Sequence, residues 1–208
     1  MRVASTRTPV WVKAILVIVG VGLPAWWLAA LHNRVANEHR LEAIASEIAG
    51  RPVEVHCPGF LRSIGPDTLG GTVRFDADGS PADDTRLRKA PCAELDALAE
   101  GRRSTQLACV ARSTSCGDDA QAVARAVDTL THESFHMLGI QDEGVTECRS
   151  LQTMAWTALR LGATPEQAQG LARLQFETGY PAMPDQYHAS GCADGEKLDM
   201  RPDDPAWP

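Results

Sequence analysis

Two histidines four residues apart, His132 and His136, with Glu133 beside the first, constrain this chain more than any other feature. On an α-helix, residues i and i+4 lie one turn apart on the same face. A helix over this HExxH stretch therefore puts two imidazoles where they can share one Zn²⁺, with Glu133 beside them as a proton acceptor. The plainer alternative is a helix showing a solvated His/Glu face. The surrounding sequence bears on that choice.

A first helix is expected to open near Asp118-Asp119, whose charges suit a helix N-terminus, and to run through Ala122, Val123, Ala126, Val127 and Leu130 to His136. Gly139 then stands where a helix-terminating glycine would. A second helix, from about Asp142 to Leu161, must come back antiparallel after so short a turn. Placed at about 100° per residue, Val145, Cys148, Leu151, Met154, Ala155, Ala158 and Leu159 form its apolar arc. Glu147 lies inside that arc and Glu143 at its edge, while Asp142 falls on the polar face with Arg149, Thr153 and Arg160. A catalytic zinc takes three protein ligands and leaves one position open, and free carboxylates are costly to bury. Glu143 and Glu147 are thus the leading candidates for the third ligand, in that order, followed by Asp142. A third helix starts at Thr164-Pro165-Glu166 and is expected to reach about Thr178.

These residues resemble the zincin metallopeptidases, whose HExxH helix supplies two ligands and the general base. Glu143-Gly144-Val145-Thr146-Glu147 is similar to the ExxxD/E element of the glutamate-ligand zincins, the gluzincins. That resemblance implies Glu143 as the metal ligand and Glu147 as the residue that orients His132. The run from His132 to Asp142 also resembles the metzincin pattern HExxHxxGxxD, with Met183 as the single candidate for its methionine turn. As a whole the chain resembles a family of bacterial exported or membrane-anchored proteins.

Ala14 to Leu31 is a run of 18 uncharged residues, about 27 Å as a helix against a hydrocarbon core of about 30 Å. Trp26 and Trp27 sit near its end, and Pro24 is tolerated in such a helix. Arg2, Arg7 and Lys13 precede it with no acidic residue, which places the N-terminus in the cytoplasm and the remainder outside. A cleavable signal peptide is the competing reading; Leu28 stands where a small residue is preferred before a cleavage site. Beyond residue 31 there are 17 basic residues against all 27 acidic ones, a net charge of −10. An acidic chain without basic clusters argues against a nucleic-acid partner.

All six cysteines follow the apolar run. An even count in an oxidising compartment reads as disulfides. Cys109–Cys116 is the local pair, and Cys57–Cys92 and Cys148–Cys192 follow by elimination. Val35 to Ala49 shows helical spacing (Leu41, Ile44, Ala45, Ile48) and reads as a connector. Pro52–Cys57 and Thr72–Phe75 read as strands, Asp78-Gly79-Ser80-Pro81 as a turn, and Pro91 to Gly101 as a short helix.

The expected fold is α+β and mainly α: an N-terminal transmembrane helix, then a small zincin-like domain with an HExxH helical hairpin and a few short strands. The expected organisation is a cytoplasmic segment at 1–13, a membrane anchor at 14–31, a connector at 32–50 and an extracytoplasmic domain at 51–208. The expected activity is that of a membrane-anchored zinc metallopeptidase acting on a peptide or protein. Tyr180, Tyr187 or His188 would stabilise the oxyanion, and Thr72–Phe75 would offer an edge to an extended peptide. The alternative is a non-catalytic, disulfide-stabilised envelope binding module with a structural or vestigial zinc site.

Overall fold

The computed structural model describes residues 23–58, 71–113 and 115–203. The first half of the expected membrane span, residues 14–22, lies outside these residues. Its later part falls in helix α1 (Leu23–Ala49). Among the described residues no helix is long and apolar enough to cross a membrane. The chain divides at Asn37/Glu38, and Glu38–Pro208 is one compact unit.

Within that unit the architecture is α+β and mainly helical. After α1 come β1 (Glu54–His56), β2 (Val73–Phe75), β3 (Pro81–Arg86), α2 (Lys89–Ala99), α3 (Ser104–Val110), α4 (Gly117–Met137), α5 (Glu143–Arg160) and α6 (Pro165–Leu174). The sheet order is β1-β3-β2, with β1 parallel and β2 antiparallel to β3. Both β2 and β3 pack on α4, which also touches α2, α5 and α6. The core joins Leu41 and Ile44 of α1, Val55 of β1, Leu95 of α2, Val127 and Leu130 of α4, Leu151 and Met154 of α5, and Leu171 of α6. Each such side chain contributes about 1.5–3 kcal/mol when fully buried. Helix α4 is the centre of this packing, and its last eight residues, Leu130 to Met137, are all buried.

The hairpin of α4 and α5 follows the expected path. Gly139 adopts φ 107°, and its N–H and that of Ile140 donate to the carbonyls of His136 and Phe135 at 2.9 and 3.2 Å. This is a Schellman ending, in which a glycine takes the left-handed conformation that a side chain would strain. Asp142 caps α5 by accepting from the Val145 N–H at 2.8 Å. The contact pairs His132–Glu147 and Asp128–Ser150 show the antiparallel run of the two helices. Arg51 pins the end of α4 to the sheet: its Nη2 donates to the carbonyls of Met137, Pro81 and Ala82.

Three features depart from the sequence expectation. β3 was not anticipated, because only Thr85 of Pro81-Ala82-Asp83-Asp84-Thr85-Arg86 is fully buried and no apolar alternation shows. The seven-residue helix α3 was likewise missed. Helix α6 ends at Leu174 and continues to Gly179 as a π-helical turn instead of running as α-helix to Thr178. The three disulfides pair as expected, Cys57–Cys92, Cys109–Cys116 and Cys148–Cys192.

Candidate metal centre

His132 and His136 lie on the buried face of α4, one turn apart, and each ring is oriented through its Nδ1. The Ile140 carbonyl, presented by the Gly139 turn, accepts from His136 Nδ1 at 2.6 Å. The Glu147 carboxylate, from one turn into α5, accepts from His132 Nδ1 at 2.9 Å. With both Nδ1 atoms donating, the neutral rings carry their lone pairs on Nε2. Both Nε2 atoms turn to one oxygen, Glu143 Oε2, at 3.0 Å from His132 and 3.3 Å from His136.

A lone pair facing a carboxylate oxygen is unfavourable unless a cation or a proton lies between them. The three donor atoms all lie within 4.8 Å of one another. Ligand bonds of 2.0–2.1 Å at tetrahedral angles would separate ligand atoms by about 3.4 Å, close to the two distances observed. His132, His136 and Glu143 therefore form a group that can hold a metal ion. The sequence-predicted acids separate by role. Glu143 is half-buried and points at the histidines, and Glu147 is 1% exposed and stands behind His132. Asp142 is exposed and occupied with capping α5.

The electrostatics agree with a site that attracts positive charge. Burial alone would lower the His132 pKa, but hydrogen bonds to Glu143 and Glu147 outweigh it and push it up to about 10. The bond from His132 holds Glu143 below the usual carboxylate value. His136 is lowered, chiefly by burial.

Glu133 sits beside this group. Burial pushes its carboxyl up to about 7, with the His132 charge pulling the other way. The backbone of Gly71 and Val73, where the chain enters β2, opposes the effect of burial on its pKa. Its Oε2 is buried with no hydrogen-bond partner among the described residues. Gly71 makes the approach possible: a Cβ there would lie 2.5 Å from Glu133 Cγ. Phe75, further along β2, meets the His136 ring edge-on at 6.0 Å between centroids.

Beside the site lies a cleft of about 450 Å³ between α4, the start of β2 and the tail after α6, which His136 and Glu143 do not line. His132, Glu133 and Glu147 line it at one end and Gln121 and Arg125 extend it along α4. Of the three tail residues considered as oxyanion stabilisers, only Tyr187 lines the cleft, its ring 5.7 Å from that of His132. Tyr180 and His188 pack against each other at 4.5 Å. Met183 lines the cleft wall.

Two residues that shape the site carried no motif in the sequence. Asp128 is fully buried one turn before His132, and its carboxylate accepts from Ser150 Oγ at 2.6 Å and Gln175 Nε2 at 2.9 Å. Burial and the nearby Glu147 charge push its pKa well above the usual value. The spacing Asp128-x-x-x-His132 was the available clue. Gly71 carried no signal at all, since its role appears only when β2 meets α4. Compared with known proteins, the chain matches no family model, no curated sequence and no solved structure.

Proposed function

We propose that this protein is a zinc-dependent hydrolase, a metallopeptidase of gluzincin type. The observation that carries the reading is the convergence of His132 Nε2, His136 Nε2 and Glu143 Oε2 beside a buried, partly unpartnered Glu133. Two imidazoles and one carboxylate are a donor set suited to zinc. Structural zinc sites are closed by four protein ligands, whereas three ligands leave room for water and substrate. When bound, zinc supplies Lewis acidity towards water and a substrate carbonyl.

The chain's own groups do the rest. Glu133 takes the proton of the attacking water and later returns it to the leaving amine. In the metal-free chain burial raises this carboxyl to about 7, towards the range that suits both roles at neutral pH. Glu147 keeps His132 in the Nδ1–H tautomer, and the Ile140 carbonyl does the same for His136. Tyr187 is the donor placed for the developing oxyanion. The β2 edge flanks the site and suits an extended peptide by strand addition.

The location we infer is outside the cytoplasm, anchored by the apolar run Ala14–Leu31 or released if that run is cleaved. Three disulfides suit such an oxidising compartment. No nucleic-acid role is proposed. Glu133→Gln tests the chemistry directly: zinc content should equal that of the wild type while peptide hydrolysis falls by at least 10²-fold. Retained hydrolysis in this variant would remove Glu133 from its role. Zinc bound by a wild-type chain with no hydrolysis of any peptide in a broad library would instead favour the envelope binding module.

A further inference from the structure

The cleft carries a second charged feature that the hydrolytic machinery does not use. Arg125 lines it from the same face of α4 as Asp128, Thr129 and His132. It is the one arginine or lysine among the described lining residues, and no ion pair joins its side chain to a described residue. Its Nε is buried and has no hydrogen-bond partner among them. The acid closest in sequence, Asp128, already accepts from Ser150 and Gln175 and is drawn to its protonated form by burial. Arg125 as a whole is half-buried, and a buried N–H donor without an acceptor is costly. A planar fork of N–H groups matches a carboxylate in two parallel bonds.

We propose that Arg125 is a substrate-binding residue that takes a carboxylate of the peptide, making the cleft selective for anionic peptides. This rests on the peptidase reading. Arg125 lies seven residues before His132, about 10 Å along the helix. An extended peptide covers that distance in about three residues. The carboxylate therefore belongs about three residues from the bond that is cut. It is supplied either by the C-terminus of a short peptide or by an Asp or Glu side chain at that position. The same distance separates Arg125 from the reacting atoms, so it acts in binding and orientation.

The test uses the full chain carrying Glu133→Gln, so that bound peptide is not consumed. Binding is followed by fluorescence anisotropy with dye-labelled hexa-alanine bearing a free C-terminus, the same peptide as its C-terminal amide, and amides with one Glu at each position in turn. At least one carboxylate-bearing peptide should bind tenfold or more tightly than the neutral amide. Arg125→Gln should erase that preference without loss of zinc, and Arg125→Lys should keep part of it. A preference for the free C-terminus names the chain end as the source, and a preference for one Glu position names a side chain. Equal binding of neutral and anionic peptides, or a preference that survives Arg125→Gln, overturns the assignment. Zinc content measured on the same samples separates the two claims. Zinc without carboxylate preference removes Arg125 alone, whereas carboxylate preference without zinc removes the peptidase reading alone.

Discussion

His132 is held between two carboxylates, Glu143 on Nε2 and Glu147 on Nδ1, a placement that would couple metal binding to protons. In the metal-free chain its pKa is raised from 6.5 to about 10. The stability it contributes is therefore fully present below about pH 6.5 and lost as pH rises through about 10. A metal ion must displace the proton on Nε2 across that whole window. Zinc uptake at pH 7–9 should release close to one proton per ion, with apparent affinity rising about tenfold per pH unit. Calorimetry in two buffers of different protonation enthalpy reads this directly. Affinity independent of pH in that range would show that His132 carries no proton on Nε2 there before zinc enters. The acids around it were partly legible beforehand: the helical wheel separated buried Glu147 from half-buried Glu143 and exposed Asp142. Asp128 was not, since a lone acid on an apolar helix belongs to no motif and its partners Ser150 and Gln175 are 22 and 47 residues away.

At the scale of elements, the site exists because a strand presses on a helix. Gly71 brings the chain entering β2 so close to α4 that its backbone lies against the Glu133 side chain. Gly71→Ala would place a methyl 2.5 Å from Glu133 Cγ. It should cost about 1–3 kcal/mol and lower hydrolysis by tenfold or more with zinc content unchanged, measured by thermal unfolding and by turnover. Unchanged turnover would mean that this strand does not position the base. The helices were readable because their apolar residues recur at helical spacing and their ends carry Gly139 and Thr164. The sheet was only half readable. β1 shows Val53 and Val55, but β3 is polar and exists through pairing with β1 on one side and β2 on the other. Strand formation that depends on neighbours leaves little trace in a local pattern.

Across the whole molecule, the parts of the cleft come from distant stretches of chain. The tail that carries Met183 and Tyr187 is fastened to α5 by Cys148–Cys192, and Gln152 bonds the backbone of Leu198 and Met200 at 3.0 and 2.7 Å. Closing a loop with a sequence separation of 44 contributes about 4 kcal/mol on a chain-entropy account. The disulfide pattern was legible from cysteine order, whereas the cleft and Arg125 were not, because they need the tail folded back over α4. On the proposed assignment His132, His136 and Glu143 hold one metal ion while Glu147 only orients His132. Zinc content of the full chain after equilibration against micromolar zinc tests it most directly. The wild type should carry one zinc per chain, His132→Ala and Glu143→Ala close to none, and Glu147→Gln a site weakened 10–100-fold that refills at higher zinc. A wild type holding less than a few tenths of a zinc, or full occupancy in Glu143→Ala, would contradict the assignment.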